Sequence, residues 1–247
     1  LHSRSALGHT DFIVYRRQNT IKLKILWVYT IKLLPLRQNL TITTMATITP
    51  REDYLQQIKQ YLGKETIIVL TGQRRVGKSY ILKYLMQEMQ LQESNNVIYI
   101  DKERKQFDFM QTYHDLMSYI DERIIAYKTN YILVDEIQDI KEWEKAVRYY
   151  RVENGCEVII TGSNAEMLSS ELSSLLGGRY HEIYIQSLTY QEFLNFHRLQ
   201  DNDESLGMYI RIGGLPGLIN YDIKDTSAVE SYRSDIYSTV LDRKSVV

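Results

Sequence analysis

Cysteine is almost absent from this 247-residue chain, which has a single one at position 156. One cysteine cannot form an internal disulfide, so a small disulfide-stabilised scaffold is excluded. The five histidines are scattered, and none lies at the spacing of a zinc site. The composition, 44% hydrophobic and 25% charged, is that of a soluble globular protein, and we expect a reducing, cytoplasmic setting.

Long apolar runs are also missing. The run "ILWVYTIKLLPL", residues 25–36, is interrupted by Lys32 and Pro35 and is too short to span a bilayer. We therefore predict no transmembrane helix and no membrane partner.

The chain carries little net charge, −1 in all, so it has no strong overall attraction to DNA or to anionic membranes. The charge is uneven, because residues 1–44 hold seven Lys/Arg and one acid, which leaves −7 for residues 45–247. A basic arm of this kind could be a targeting segment or a nucleic-acid tail. Since the first methionine is Met45, we interpret residues 1–44 as a basic arm that is not native or is disordered.

From Met45 onward, strand-like and helix-like segments alternate, which predicts an α/β fold with a doubly wound parallel sheet over residues 45–187. The strand-like segments are short and apolar, as in strands covered on both faces. They are residues 66–70, 96–101, 131–136, 157–163 and 181–187. The segments with helical spacing are residues 51–62, 78–89, 113–125 and 141–152.

The alternation of strand-like and helix-like segments ends after residue 187. Residues 188–196 and 228–241 have helical patterns and are joined through "IRIGGLPGL", a stretch of turn residues. We predict that residues 188–247 form a short, incomplete C-terminal helical lid and the start of a truncated C-terminal region.

The segment between the first strand and the next helix fits the pattern G-x-x-x-x-G-K-[ST]. Its glycines allow backbone N–H groups to curl around phosphate oxygens at the start of a helix, where the helix dipole favours anions. In this pattern Lys78 reaches the β- and γ-phosphates, and the Ser79 hydroxyl binds Mg²⁺. The predicted nucleotide-binding residues are Gly72, Gln73, Arg74, Arg75, Val76, Gly77, Lys78, Ser79 and Tyr80.

Arg74 and Arg75 lie inside this loop and could in principle contact nucleic acid. Their backbone amides matter more for phosphate binding than their side chains, which could flank the triphosphate or meet nearby acids. We therefore assign them to the nucleotide loop, and direct DNA contact stays an alternative.

Two acids follow the predicted third strand in "YILVDE". Ligands of open α/β sheets bind at the carboxyl ends of strands, so Asp135 is placed to hold Mg²⁺ and Glu136 to polarise an attacking water. The alternative is that these acids only begin a solvated loop.

Polar residues also follow the fourth strand. Ser163 and Asn164 could contact the γ-phosphate or the lytic water, or they could form an ordinary turn. Arg179, after two glycines, could act on the developing charge as an arginine finger, either within the chain or from a neighbouring subunit. As a lone arginine it could equally have no such role.

With these motifs the chain resembles P-loop ATPases of the AAA+ superfamily, and more narrowly prokaryotic ATPases with an N-terminal AAA domain and a C-terminal domain of unknown function. The matching stretches are "LTGQRRVGKSYIL", "YILVDEIQ", "VIITGSNAEMLSSELSSLLGGRYHEIYIQSLTYQEFL" and "YIRIGGLPGLI". The resemblance implies an ATP- and Mg²⁺-binding core with an inserted strand between the Walker A and Walker B strands. It maps Lys78 and Ser79 to Walker A, Asp135 and Glu136 to Walker B, Ser163 and Asn164 to the sensor, and Arg179 to the Gly-Arg after the sensor helix. The chain departs from the family at its end, which indicates either a truncated C-terminus or last residues that come from a frameshift.

Three functions follow as hypotheses. The first is an ATPase; GTP is disfavoured because the chain has no Asn-Lys-x-Asp motif, and a small-molecule kinase because a water-activating Glu136 follows the Mg²⁺ aspartate. The second is a nucleotide-gated switch with little turnover that presents a surface to an unknown protein partner. The third is a DNA-associated motor or loader, which the charge of residues 45–247 does not support. A homo-oligomer is possible under each.

Overall fold

The computed structural model describes residues 48–162, 172 and 174–242. Its centre is a parallel sheet. Every apolar segment predicted as a strand forms one, and Ile67–Thr71 and Glu157–Thr161, which lie in the interior of the sheet, are buried at every residue. The strands are β1 (Ile67–Thr71), β2 (Asn95–Asp101), β3 (Thr129–Asp135), β4 (Glu157–Thr161) and β5 (Tyr180–Tyr184). Their order across the sheet is β2-β3-β4-β1-β5.

Helices cover both faces of the sheet, so the doubly wound architecture is confirmed. The helices are α1 (Glu52–Tyr61), α2 (Lys78–Gln90), α3 (Tyr113–Asp121) and α4 (Trp143–Val152). Leu55 of α1 and Leu82 of α2 pack on one face, against alternate residues such as Leu70 of β1. Leu116 of α3 and Trp143 of α4 pack on the other.

A group of helices follows the sheet and has its own apolar core. It consists of α5 (Tyr190–His197), α6 (Asp203–Ile212), a 3₁₀ turn (Pro216–Asn220) and α7 (Thr226–Asp242). Phe193, Met208, Leu218 and Val229 bring these elements together in one cluster. Within the part of the chain that the structure describes, no helix is both long and apolar enough to cross a membrane.

The sequence patterns do not predict α6, which lies between the two predicted lid helices and ahead of the turn residues. Its start carries a strong local signal: Asn202 accepts a hydrogen bond from the Ser205 backbone N–H at 2.9 Å, and two acids occupy the first turn. The helix ends at Gly213, so the turn residues begin only there. The division into a core up to residue 187 and a lid from residue 188 stays a prediction.

Gly214 fixes the helical group to the chain that leaves the sheet. The Leu188 N–H donates to the Gly214 carbonyl at 2.7 Å, and a Cβ on Gly214 would lie 2.2 Å from the Leu188 carbonyl oxygen. Two backbones touch here, which only glycine permits.

Candidate functional site

The carboxyl ends of the strands bring polar residues into one row. The strand register sets Asp101 of β2 beside Asp135 of β3, and β4 lies between β3 and β1. Thr161, the last residue of β4, therefore lies between the acids and the phosphate loop that follows β1. All three residues are at least 97% buried.

The loop after β1 has the backbone that the glycine pattern predicts. Gly72 has φ 140°, and a Cβ there would lie 2.2 Å from the Ile185 carbonyl oxygen. Gly77, with φ 100°, directly precedes α2, whose first N–H groups face the loop without helical partners. Arg75 also has positive φ, 65°, an uncommon conformation for a non-glycine residue. The loop is a strained concavity at a helix N-terminus, suited to an anion.

Lys78 is folded back into this concavity. Its ammonium donates to the Gly72 and Gln73 carbonyls, each at 2.9 Å, and the residue is 3% exposed. Burial lowers the pKa of Lys78, and the nearby Glu136 and Asp135 oppose that shift. The ammonium is thus held by weak carbonyl acceptors, which phosphate oxygens can replace.

Asp135 is completely buried, and its two carboxylate oxygens have different surroundings. Oδ1 accepts from the Thr161 hydroxyl at 2.5 Å and from the Ser79 hydroxyl at 3.1 Å. Oδ2 is buried without a hydrogen-bond partner. Burial raises the pKa of Asp135 to about 6, although the two hydroxyl groups act in the opposite direction.

These groups fit a magnesium ion. A carboxylate oxygen without a partner and an adjacent hydroxyl are ligands of the type Mg²⁺ prefers, and Mg²⁺ usually takes one or two protein ligands beside waters and phosphates. Accordingly, the described residues contain no cluster of three or more acidic, histidine or cysteine side chains that could hold a metal alone. Asp135 and Ser79 would hold the ion against the phosphates.

Glu136 begins the turn after β3 with φ 55° and ψ 55°. Its N–H donates to the Thr161 hydroxyl oxygen at 3.0 Å, and its Oε2 accepts from the Gln138 amide at 2.6 Å. The left-handed backbone turns this second acid away from the direction of the strand, and Gln138 holds its carboxylate.

Not every predicted site residue lies here. Arg179 precedes β5, and its carbonyl accepts from the N–H of Ile67, the first residue of β1. The loop begins at the other end of that strand, about 15 Å away at 3.3 Å per residue. The structure therefore does not bring Arg179 to the phosphate loop of its own chain.

Two further predictions have a different outcome. Ser163 and Asn164 lie outside the described residues, so their sensor role stays a prediction. Tyr80 lies on α2 and is 59% exposed. Arg75 extends toward the helical group, its guanidinium 5.9 Å from the ring centre of Tyr232.

Sequence reasoning missed Thr161, whose hydroxyl donates to the Asp135 carboxylate and accepts from the Glu136 backbone N–H. The sequence predicts a strand that continues to residue 163, which hides Thr161 as an interior strand residue; β4 ends at Thr161. The signal was the first polar residue after the apolar run "VII". Gln138 and the buried Asp101, which pairs with Arg104 at 3.0 Å, were also missed.

Comparison with known proteins shows the family of the chain. A family model described as an AAA domain matches residues 64–194, more than half of the chain. An uncharacterized protein of Haemophilus influenzae is 34% identical over 205 residues, 79% of this chain and 51% of that protein. An uncharacterized protein of Methanocaldococcus jannaschii is 28% identical over 222 residues, 84% of this chain and 48% of that protein. The chain thus spans about half the length of these curated relatives.

Among solved structures, the ADP complex of Hsp104 from S. cerevisiae is similar with a TM-score of 0.55 and 14% identity. The similarity covers 80% of this chain and 33% of that chain. At this identity the likeness shows a shared fold.

Proposed function

This chain belongs to the AAA-domain family of P-loop ATPases, and from that premise we propose that it binds ATP with Mg²⁺ and hydrolyses the β–γ phosphate bond. Nucleotide binding rests on the loop that follows β1, with Lys78 at its centre. The observation that carries hydrolysis is the pair of acids after β3, one facing the Ser79 hydroxyl and the other held apart by Gln138.

Each residue has a separate role in this proposal. The loop amides and Lys78 bind the phosphates, and Lys78 exchanges its two carbonyl acceptors for phosphate oxygens. Asp135 and Ser79 would hold Mg²⁺, which supplies charge neutralisation when bound. Glu136 orients a water in line with the γ-phosphate and accepts its proton, so that ATP and water give ADP and phosphate.

Arg179 enters this proposal only from a second copy of the chain. It lies at the amino ends of the strands, whereas its own loop lies at the carboxyl ends. In this proposal its guanidinium therefore acts on the ATP bound by a neighbouring subunit. The sensor role of Asn164 is proposed from its position after β4.

Phosphate release from Mg-ATP tests the proposal. We expect turnover by the wild type, and a loss of at least about a hundredfold in both Lys78→Ala and Glu136→Gln. Only Lys78→Ala should also lose affinity for ATP, because Glu136 contacts the attacking water and not the phosphates. Binding of ATP with equal turnover in wild type and Glu136→Gln would contradict the assigned base.

A nucleotide-gated switch is the second candidate. The partly exposed helical group packs on the loop, since Pro216 lies 3.6 Å from the position of a Cβ on Gly77. A bound nucleotide could therefore alter this surface for a protein partner without rapid turnover. Under this reading Glu136→Gln prolongs the bound state but removes no biological activity.

A further inference from the structure

Arg51 is a buried arginine outside the sequence motifs, and it directly precedes α1. It is 4% exposed, and its guanidinium donates to four residues in three separate parts of the chain. The acceptors are both Glu192 oxygens at 2.7 and 2.8 Å, the Val76 carbonyl at 3.1 Å, the Gln186 carbonyl at 2.7 Å and the Ser187 carbonyl at 3.4 Å. No sequence pattern indicates this, because the partners lie 25 to 141 residues away.

The contact with Val76 bears on the phosphate loop directly. In a trans peptide the C=O of one residue and the N–H of the next point in opposite directions. Since Arg51 holds the Val76 carbonyl, the Gly77 N–H on the same peptide is directed away from the Arg51 guanidinium. In the glycine-rich loop pattern, the backbone N–H groups of this stretch are the ones that bind an anion.

The contact with Glu192 reaches the helical group. Glu192 is the third residue of α5 and accepts from the Thr189 N–H at 2.8 Å, which closes a capping box at the start of that helix. The Arg51 guanidinium also lies 4.5 Å from the centre of the Tyr54 ring, and the Tyr54 hydroxyl accepts from the Gln186 N–H at 3.2 Å. Arg51 is thus clamped in one position by α1, by the segment after β5 and by α5.

We propose that Arg51 is a positioning residue for the nucleotide site. It fixes the Val76–Gly77 peptide with its N–H toward the phosphates and ties that peptide, through Glu192, to the first turn of α5. Occupation of the loop and the position of the helical group are then linked through one side chain. The inference rests on the proposed function, since it takes the loop to be an ATP site.

The chain offers a matched control for a purely structural role. Arg151 is also buried, 6% exposed, and donates to the Glu157 carboxylate at 2.9 Å and to the Cys156 carbonyl at 2.8 Å. Glu157 begins β4, so this ion pair lies at the amino ends of the strands, whereas the phosphate loop lies at their carboxyl ends. Lysine at either position keeps the charge and removes the planar fork of donors.

The test measures ATP and ADP affinity of the whole chain as wild type, Arg51→Lys and Arg151→Lys, at a temperature where thermal unfolding shows each to be folded. We expect both variants to lower Tm, but only Arg51→Lys to weaken nucleotide binding, by about tenfold, as expected for the loss of one oriented charge-assisted contact. Equal affinity in Arg51→Lys and wild type overturns the proposal. So does equal weakening in the two variants.

Hydrogen exchange of the nucleotide-free protein separates this inference from the proposed function. We expect Arg51→Lys to speed amide exchange in residues 72–79 and in the first turn of α5 together, while Arg151→Lys leaves both unchanged. If wild type binds no ATP, the proposed function fails, and the exchange result alone decides whether Arg51 holds the loop. Glu192→Gln keeps the capping oxygen and the carbonyl contacts of Arg51, so it tests the link to α5 should Arg51→Lys not fold. We expect ATP to slow amide exchange at the start of α5 in the wild type but not in Glu192→Gln. Equal slowing in the two proteins overturns the link.

Discussion

Asp135 is a residue whose charge the fold tolerates at a cost. Its pKa is raised, chiefly by burial, to about 6 from an ordinary value of 3.8, so the ionised form is disfavoured in the folded state. The sign follows from linkage: the penalty is absent below about pH 4, develops as pH rises toward 6 and is complete above it. Such a buried, unbalanced carboxylate is what a cation site requires.

We therefore predict that Asp135→Asn raises the stability of the nucleotide-free protein at pH 8, by roughly 1–3 kcal/mol. The asparagine carbonyl still accepts from Thr161 and Ser79, and no charge remains buried. Urea unfolding at several pH values in the absence of Mg²⁺ measures the difference. The gain should shrink as pH falls through 6 and vanish near pH 4. A gain that is equal at pH 4 and pH 8 would show that the charge of Asp135 is not its source.

The Thr161 hydroxyl connects the Asp135 carboxylate with the backbone N–H of Glu136. Thr161→Val leaves the Glu136 N–H without its acceptor and removes the hydrogen bond that lowers the pKa of Asp135. We predict that turnover falls by roughly 10–100-fold, and that the acid limb of its pH profile moves to higher pH. Thr161→Ser keeps the hydroxyl and should retain both the rate and the profile. A valine variant with an unshifted profile would contradict this role.

At the scale of elements, local patterns predict the strands and the helices α1 to α4, because each of these short segments carries its apolar pattern in its own residues. The predicted strand of residues 157–163 is too long by two residues. β4 ends at Thr161, whose hydroxyl donates to Asp135. The missed helix α6 contains Gly207 and runs directly into Gly213, so its end resembles a turn. Contacts that depend on distant segments, such as those of Arg51, leave no local pattern and could not be predicted.

The glycines of the helical group give a paired test of its packing. Gly214 has no room for a side chain beside Leu188, whereas Gly207 in α6 has open space around it. We predict that Gly214→Ala lowers Tm by several degrees, while Gly207→Ala raises it slightly, since alanine favours a helix by about 1 kcal/mol over glycine. Thermal unfolding of both variants checks this, and a neutral Gly214→Ala would show that the backbone contact yields easily.

At the scale of the whole molecule, the position of Arg179 makes a single copy of the chain an incomplete ATPase under our proposal. We predict that turnover per chain rises with protein concentration and that Arg179→Ala lowers kcat with little effect on ATP affinity. Addition of Lys78→Ala protein, inactive itself but carrying Arg179, should restore activity to the Arg179→Ala protein. Turnover that is independent of concentration, with no restoration on mixing, would exclude a role for Arg179 across a subunit interface.

The central claim is that the acids after β3 hydrolyse an ATP held by the loop after β1. The most direct measurement is the identity of the nucleotide that the protein retains after incubation with Mg-ATP and rapid removal of free nucleotide. We predict ADP in the wild type and unhydrolysed ATP in Glu136→Gln, because that variant keeps the phosphate contacts and loses only the base. ADP in both proteins, or no retained nucleotide in either, would contradict the account.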